Sequence, residues 1–157
     1  MALEIEKKFL VPVFPEDGAG QGIYICQGYM LNSKRMVSRV RIFGDQGFLT
    51  LKSPTIDGVR HEFEYPVPLK DARQMLEIFC EKPFVEKTRY TLYHQNFEWV
   101  IDRFSGANEG LIVAEIELDC PDTVFEKPDW AGEEVSHDPR YFNSNLTTHP
   151  FSEWVKD

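Results

Sequence analysis

The sequence is short of basic charge, with Lys and Arg at 17 against 26 Asp and Glu, and a formal net charge of −9 over 157 residues. Broad binding to nucleic acid or to anionic membranes needs a basic field, so both are argued against. Cysteine is scarce too. Cys26, Cys80 and Cys120 are odd in number and far apart, which is neither a disulfide framework nor a zinc spacing. They are expected to be reduced thiols of a cytoplasmic protein. No run approaches the ~20 apolar residues of a membrane helix, and "MALEIEKKF" lacks the apolar core of a signal peptide. No Gly-rich loop ends in Lys-Ser or Lys-Thr, which removes the Walker-type NTPases. The four histidines (His61, His94, His137 and His149) show no spacing for a metal or a paired nucleophile. The length suits one domain, 1–157, with a core of its own.

What the chain does have is alternation. Strand-like segments are expected at Glu4–Val11, Gly22–Met30, Met36–Phe43, Gly47–Ser53, Val59–Val67, Phe84–Tyr93, Phe97–Phe104 and Leu111–Asp119. Turn signals such as "FGDQG", "TIDG" and "SGANEG" separate them. One helix over 68–80 is predicted by Leu69, Ala72, Met75, Leu76 and Phe79 at helical spacing. In the tail, Asp138 is a candidate N-cap with Pro139 at the first helical position, and "HPFSEWVKD" suggests a last helical turn. The fold class expected is mainly β (α+β), an antiparallel meander or closed barrel with a few flanking helices.

The charges follow the same period. Glu4, Glu6 and Lys8 share one face of the first strand, about 6.6 Å apart at two-residue spacing, with Ile5 and Phe9 on the other. Arg39 and Arg41 alternate with Val40 and Ile42, and Lys52 with Leu51. Glu62 and Glu64 alternate with Phe63 and Tyr65, and Lys87 and Arg89 follow. Asp102 lies between Ile101 and Arg103, and Glu115 and Glu117 flank Ile116. A single such strand reads as solvent-facing on its charged side. Six cations and seven carboxylates in one repeated register read instead as the lining of a site. An outer-membrane barrel also has a polar lumen, but aromatic girdles and a leader are missing and helices have no place there. The remaining solution is a soluble barrel with a charged interior.

Lys8, Arg39, Arg41, Lys52, Lys87 and Arg89 suit a polyanion, paired arginines gripping phosphate oxygens through forked donors. The carboxylates would repel such a ligand without a divalent cation. Mg²⁺ or Mn²⁺ takes oxygen ligands, and the two Glu-x-Glu pairs, Glu4 with Glu6 and Glu115 with Glu117, are the expected ligands. A phosphoanhydride is the ligand class this charge pattern fits. Lys7 is out of register, on the opposite face, and is expected to be dispensable.

"EIEKK" resembles the Glu-x-Glu-x-Lys signature of the CYTH superfamily, the triphosphate tunnel metalloenzymes. "SRVRIFGDQGFLTLKSP", "HEFEYPVP", "EKTRY", "WVIDRFSGANEGLIVAEIEL" and "EVSHDPRYFNSNL" extend the resemblance, in order, over essentially the whole chain. It implies an eight-stranded antiparallel tunnel holding a linear triphosphate with Mg²⁺ or Mn²⁺, in a single domain with no appended regulatory unit. By motif, Glu4, Glu6, Glu115 and Glu117 would bind metal, and the six cations the phosphates. Glu62, Glu64 and Asp102 would form a second shell or a second metal site. Lys8, Tyr29 and Lys87 are the catalytic candidates, Tyr29 pairing with a lysine such as Lys87 as base. Asp138 or Arg140 would reach one mouth. The activity implied first is hydrolysis of inorganic tripolyphosphate, by a cytoplasmic enzyme or possible homodimer that needs neither nucleic acid nor membrane. The alternatives are a class IV adenylate cyclase, a nucleoside or thiamine triphosphatase, and a non-catalytic polyphosphate- or nucleotide-binding module.

Overall fold

Alternating strands with one apolar face must bury it, and a sheet that closes on itself also removes its unpaired edges. A computed structural model of the chain, which describes residues 3–154, shows this solution. Eight strands run as β1 (Leu3–Leu10), β2 (Ile23–Asn32), β3 (Val37–Phe43), β4 (Gln46–Lys52), β5 (Val59–Val67), β6 (Val85–His94), β7 (Phe97–Ser105) and β8 (Ile112–Glu117). They form a closed barrel in the order β1-β5-β4-β3-β2-β6-β7-β8, every pair antiparallel. The order is not a plain meander. Two runs of hairpins, β2 to β5 and β6 to β8, are joined by the β2–β6 pair and sealed by β1 between β5 and β8.

The apolar residues fall on the outside of the wall, where other segments cover them. Ile5, Phe9, Trp99, Ile101, Ala114 and Ile116 pack under Val11, Phe14 and Ala19 from the β1–β2 connection and under Leu118, Phe125 and Trp130 from beyond β8. The single α-helix among the described residues, α1 (Leu69–Phe79), covers β2 to β4 with Ala72 and Leu76, and Cys80 follows beside them. Two glycines allow that approach. A Cβ on Gly28 would stand 2.7 Å from the Cβ of Cys80, and one on Gly47 would stand 2.7 Å from the Cβ of Ala72. Phe79 departs from its expected place: it is 59% exposed, and Cys80 fills the helix's inner side instead.

A third apolar group lies inside the barrel, at one end. Val85, Phe104 and Val113 there pack with Leu111 and with Leu146 from the C-terminal segment, and Leu10, Tyr29, Tyr141, Phe151 and Trp154 surround them. That segment is only partly helical. Pro139–Tyr141 and Phe151–Glu153 are single 3-10 turns, the first with Asp138 accepting from the Arg140 backbone N–H at the predicted cap. The rest of the turn expected at "HPFSEWVKD" lies beyond the described residues. Within them, no helix is long and apolar enough to cross a membrane.

Candidate active site

Strand register decides which charges meet. Across β1 and β8, Glu6 stands opposite Glu117 and Lys8 opposite Glu115. Arg89 faces Asp102 between β6 and β7, and Lys52 faces Glu62 between β4 and β5. Arg39 and Glu64 both neighbour Thr50, from β3 and from β5. All thirteen residues of the predicted charged face thus sit on the side opposite the covered apolar face, within the barrel.

Ion pairs and hydrogen bonds tie twelve of them together, while the exposed Glu117 feels its neighbours through charge. Asp102 is fully buried, and Arg89 grips it through Nε at 2.7 Å and Nη2 at 2.9 Å. Lys87 adds a third cationic bond to it at 2.7 Å. Lys8 Nζ donates to Glu115 at 3.1 Å, with Glu6 at 3.9 Å, and Arg89 Nη2 stands 3.8 Å from Glu115. Glu4 lies between Arg60 at 3.0 Å and Lys52 at 3.5 Å. Arg39 at 3.4 Å and Arg41 at 3.2 Å share Glu64, which also accepts from the Thr50 hydroxyl at 2.8 Å.

Burial and neighbours split chemically identical groups. Burial pushes the Lys87 amine down to about 8, and Arg89 reinforces this against the attraction of Asp102. Lys8 is as deeply placed, yet Glu115 and Glu6 outweigh burial and raise its amine above the usual lysine value. Burial also lowers Lys52 to about 8, with Arg39 adding to it, and lowers Arg41 to about 10. Among the carboxyls, burial and the Glu115 charge lift Glu6 to about 8, and burial with the Glu4 contact lifts Glu62 to about 7. Glu117 is raised by burial and by Glu4. Glu115 lies well below the ordinary range because Lys8 and Arg89 overcome its burial.

This set fits a hard divalent cation. Glu4, Glu6 and Glu117 supply only oxygen, and the carboxyls of Glu6, Glu62 and Glu117 are raised first by burial and then by neighbouring carboxylates, both of which a bound cation would offset. As the side chains stand, no three acidic, histidine or cysteine groups among the described residues form a ready cage. Glu4 is engaged by Arg60 and Lys52, and Glu115 by Lys8.

Several residues differ from expectation. The Tyr29 hydroxyl accepts from Gln27 Nε2 at 2.8 Å, while Lys87 bonds Asp102 and Asn143, so the expected Tyr29–Lys87 pair is not formed. Asp138 and Arg140 bond each other at 2.7 Å, with the Arg140 guanidinium over Trp154, and neither extends into the barrel network. Asn143 reaches it instead, 2.9 Å from Lys87 Nζ. Arg60 was also unforeseen, although it keeps step with Glu62 and Glu64. Lys7 is on the outer face as expected, over the Phe125 ring.

The fold and site define a class of protein, a closed antiparallel barrel lined by clustered guanidinium, ammonium and carboxylate groups. The chain belongs to the CYTH family, whose domain model matches residues 2–148. It is 46% identical over 151 residues to a protein named inorganic triphosphatase from Acetivibrio thermocellus, covering 96% of this chain and 97% of that one. A protein of the same name from Nitrosomonas europaea is 37% identical over 150 residues, covering 91% and 95%. A solved structure described as an inorganic triphosphatase superposes with a TM-score of 0.68 at 35% identity, covering 94% of this chain and 95% of its own.

Proposed function

We propose that this protein is a metal-dependent inorganic triphosphatase that hydrolyses a phosphoanhydride bond of tripolyphosphate inside the barrel. The carrying observation is the interior cation set. Lys8, Arg39, Arg41, Lys52, Lys87 and Arg89 come from four strands onto one face, each held by a carboxylate rather than by open solvent. The family and the two inorganic triphosphatases matched over nearly the full chain support the same reading.

Roles follow from charge state. Lys8 stays protonated beside Glu115 and, with Arg39, Arg41 and Arg89, neutralises and aligns phosphoryl oxygens. Glu4, Glu6 and Glu117, with Glu115, are the proposed ligands of Mg²⁺ or Mn²⁺, which when bound offsets negative charge on the phosphates and polarises the group under attack. Glu62 and Glu64 orient Arg39 and Arg41, and Asp102 orients Lys87 and Arg89. Lys87, with its amine lowered to about 8, takes the proton from the attacking water. Tyr29 lines the same end of the chamber beside Gln27. The three free cysteines suit a cytoplasmic setting.

The test is phosphate release from tripolyphosphate, pyrophosphate and ATP with Mg²⁺ or Mn²⁺. Fast, chelator-sensitive release from tripolyphosphate, slower release from ATP and little from pyrophosphate are expected. No turnover of any of them, or cyclic AMP from ATP as the main product, would refute the proposal.

A further inference from the structure

Lys87 is held by two side-chain hydrogen bonds, and only one comes from the barrel wall. Asp102 on β7 accepts at 2.7 Å, and the side-chain oxygen of Asn143 accepts at 2.9 Å. The ammonium lies 5.4 Å from the centre of the Phe104 ring, and Lys87 is 2% exposed. As the neutral base the amine has two N–H groups and one lone pair, so two fixed acceptors leave the lone pair for the attacking water.

Asn143 belongs to the segment that closes one end of the barrel, and that segment has anchors of its own. Leu146 is fully buried against the apolar group inside the barrel. The Phe151 backbone N–H donates to Asn108 Oδ1 at 2.8 Å, and Asn145 Nδ2 donates to the Pro139 carbonyl at 2.9 Å. The Asn143 amide is therefore presented by a fixed scaffold. Its neutral oxygen also suits the place: it satisfies the amine without adding negative charge where phosphates must sit.

We propose that Asn143 is a positioning residue for Lys87, through which the C-terminal segment sets the amine's direction in the chamber. This rests on the tripolyphosphatase reading. Loss of the bond frees a flexible four-carbon stem, and misplacement of a reacting group by about 1 Å costs on the order of a hundredfold in rate.

The experiment compares steady-state tripolyphosphate hydrolysis and thermal stability for wild type, Asn143→Leu, Asn143→Asp and Leu146→Ala. Asn143→Leu keeps the shape but removes the acceptor, and kcat should fall roughly ten- to hundredfold with KM within about threefold and Tm near wild type. Asn143→Asp keeps the acceptor but sets a carboxylate beside the amine, so the pH at which kcat rises should move up, with kcat largely recovered above it and KM raised by the added charge. Leu146→Ala should lower Tm and marks what loosening the segment does. Asn143→Leu with kcat within twofold of wild type overturns the proposal. So does a kcat loss in Asn143→Leu and Asn143→Asp alike that tracks Tm as in Leu146→Ala. An inactive wild type would instead refute the underlying reading.

Discussion

Lys8 and Lys87 show how much a residue's role depends on its neighbours. Both are almost fully buried, but Lys8 has two glutamates within 4 Å while Lys87 shares one aspartate with Arg89. The first therefore holds its proton and the second gives it up near pH 8. Activity of the wild type should rise as pH passes through about 8, because the neutral amine becomes available. Lys87→Arg cannot deprotonate there, so its rate should be low and lack that limb; the same limb in this variant would assign the titration elsewhere. Stability shifts in the same direction. Between about 8 and the ordinary lysine value the unfolded chain binds more protons at this site than the folded one, so Lys87 adds stability as pH rises through that window. At this scale the sequence was legible where side chains repeat with period two. Arg60 keeps that period too, at the start of its strand beside the "TIDG" turn. Gln27 and Asn143 carry no charge pattern, and only the fold reveals that one touches Tyr29 and the other Lys87.

Elements were legible to the extent that their pattern was periodic. The expected β5 range agrees with the observed Val59–Val67, and the other strands differ by a residue or two at their ends, where turns compete for the backbone. The helix appeared where Ala72, Met75 and Leu76 predicted it, but the inner position at its end fell to Cys80 rather than Phe79. The C-terminal segment was less readable. Its aromatic residues lack a helical or strand period, so it packs as single turns with contacts to several strands. Helix α1 offers a separate test of the wall. Gly28→Val would force its Cβ into Cys80 and lift the helix from β2, costing about 1–3 kcal/mol. Denaturant unfolding should register that loss while the folded fraction keeps its tripolyphosphatase activity. An unchanged midpoint would mean that the helix tolerates the added bulk without its close seat.

At the scale of the whole molecule, a chain of net charge −9 brings six of its cations to the inside of the barrel. Barrel closure accomplishes this, since strands distant in sequence, β1 with β8 and β2 with β6, become neighbours. The eight strands were readable beforehand, but their order was not, because alternation states which face a residue takes and nothing about which strand lies beside it. Closure also explains why the charges pair so densely. Each cation has a carboxylate partner inside the wall, and phosphate binding as proposed would exchange some of that pairing for phosphate oxygens. The most direct measurement is a crystal structure of the protein with tripolyphosphate and a divalent ion that does not support turnover. The phosphates should lie inside the barrel within hydrogen-bond reach of Arg39, Arg41 and Arg89, with the ion against Glu4, Glu6 and Glu117. Tripolyphosphate bound only on the outer surface, with the interior pairs unchanged, would contradict the account.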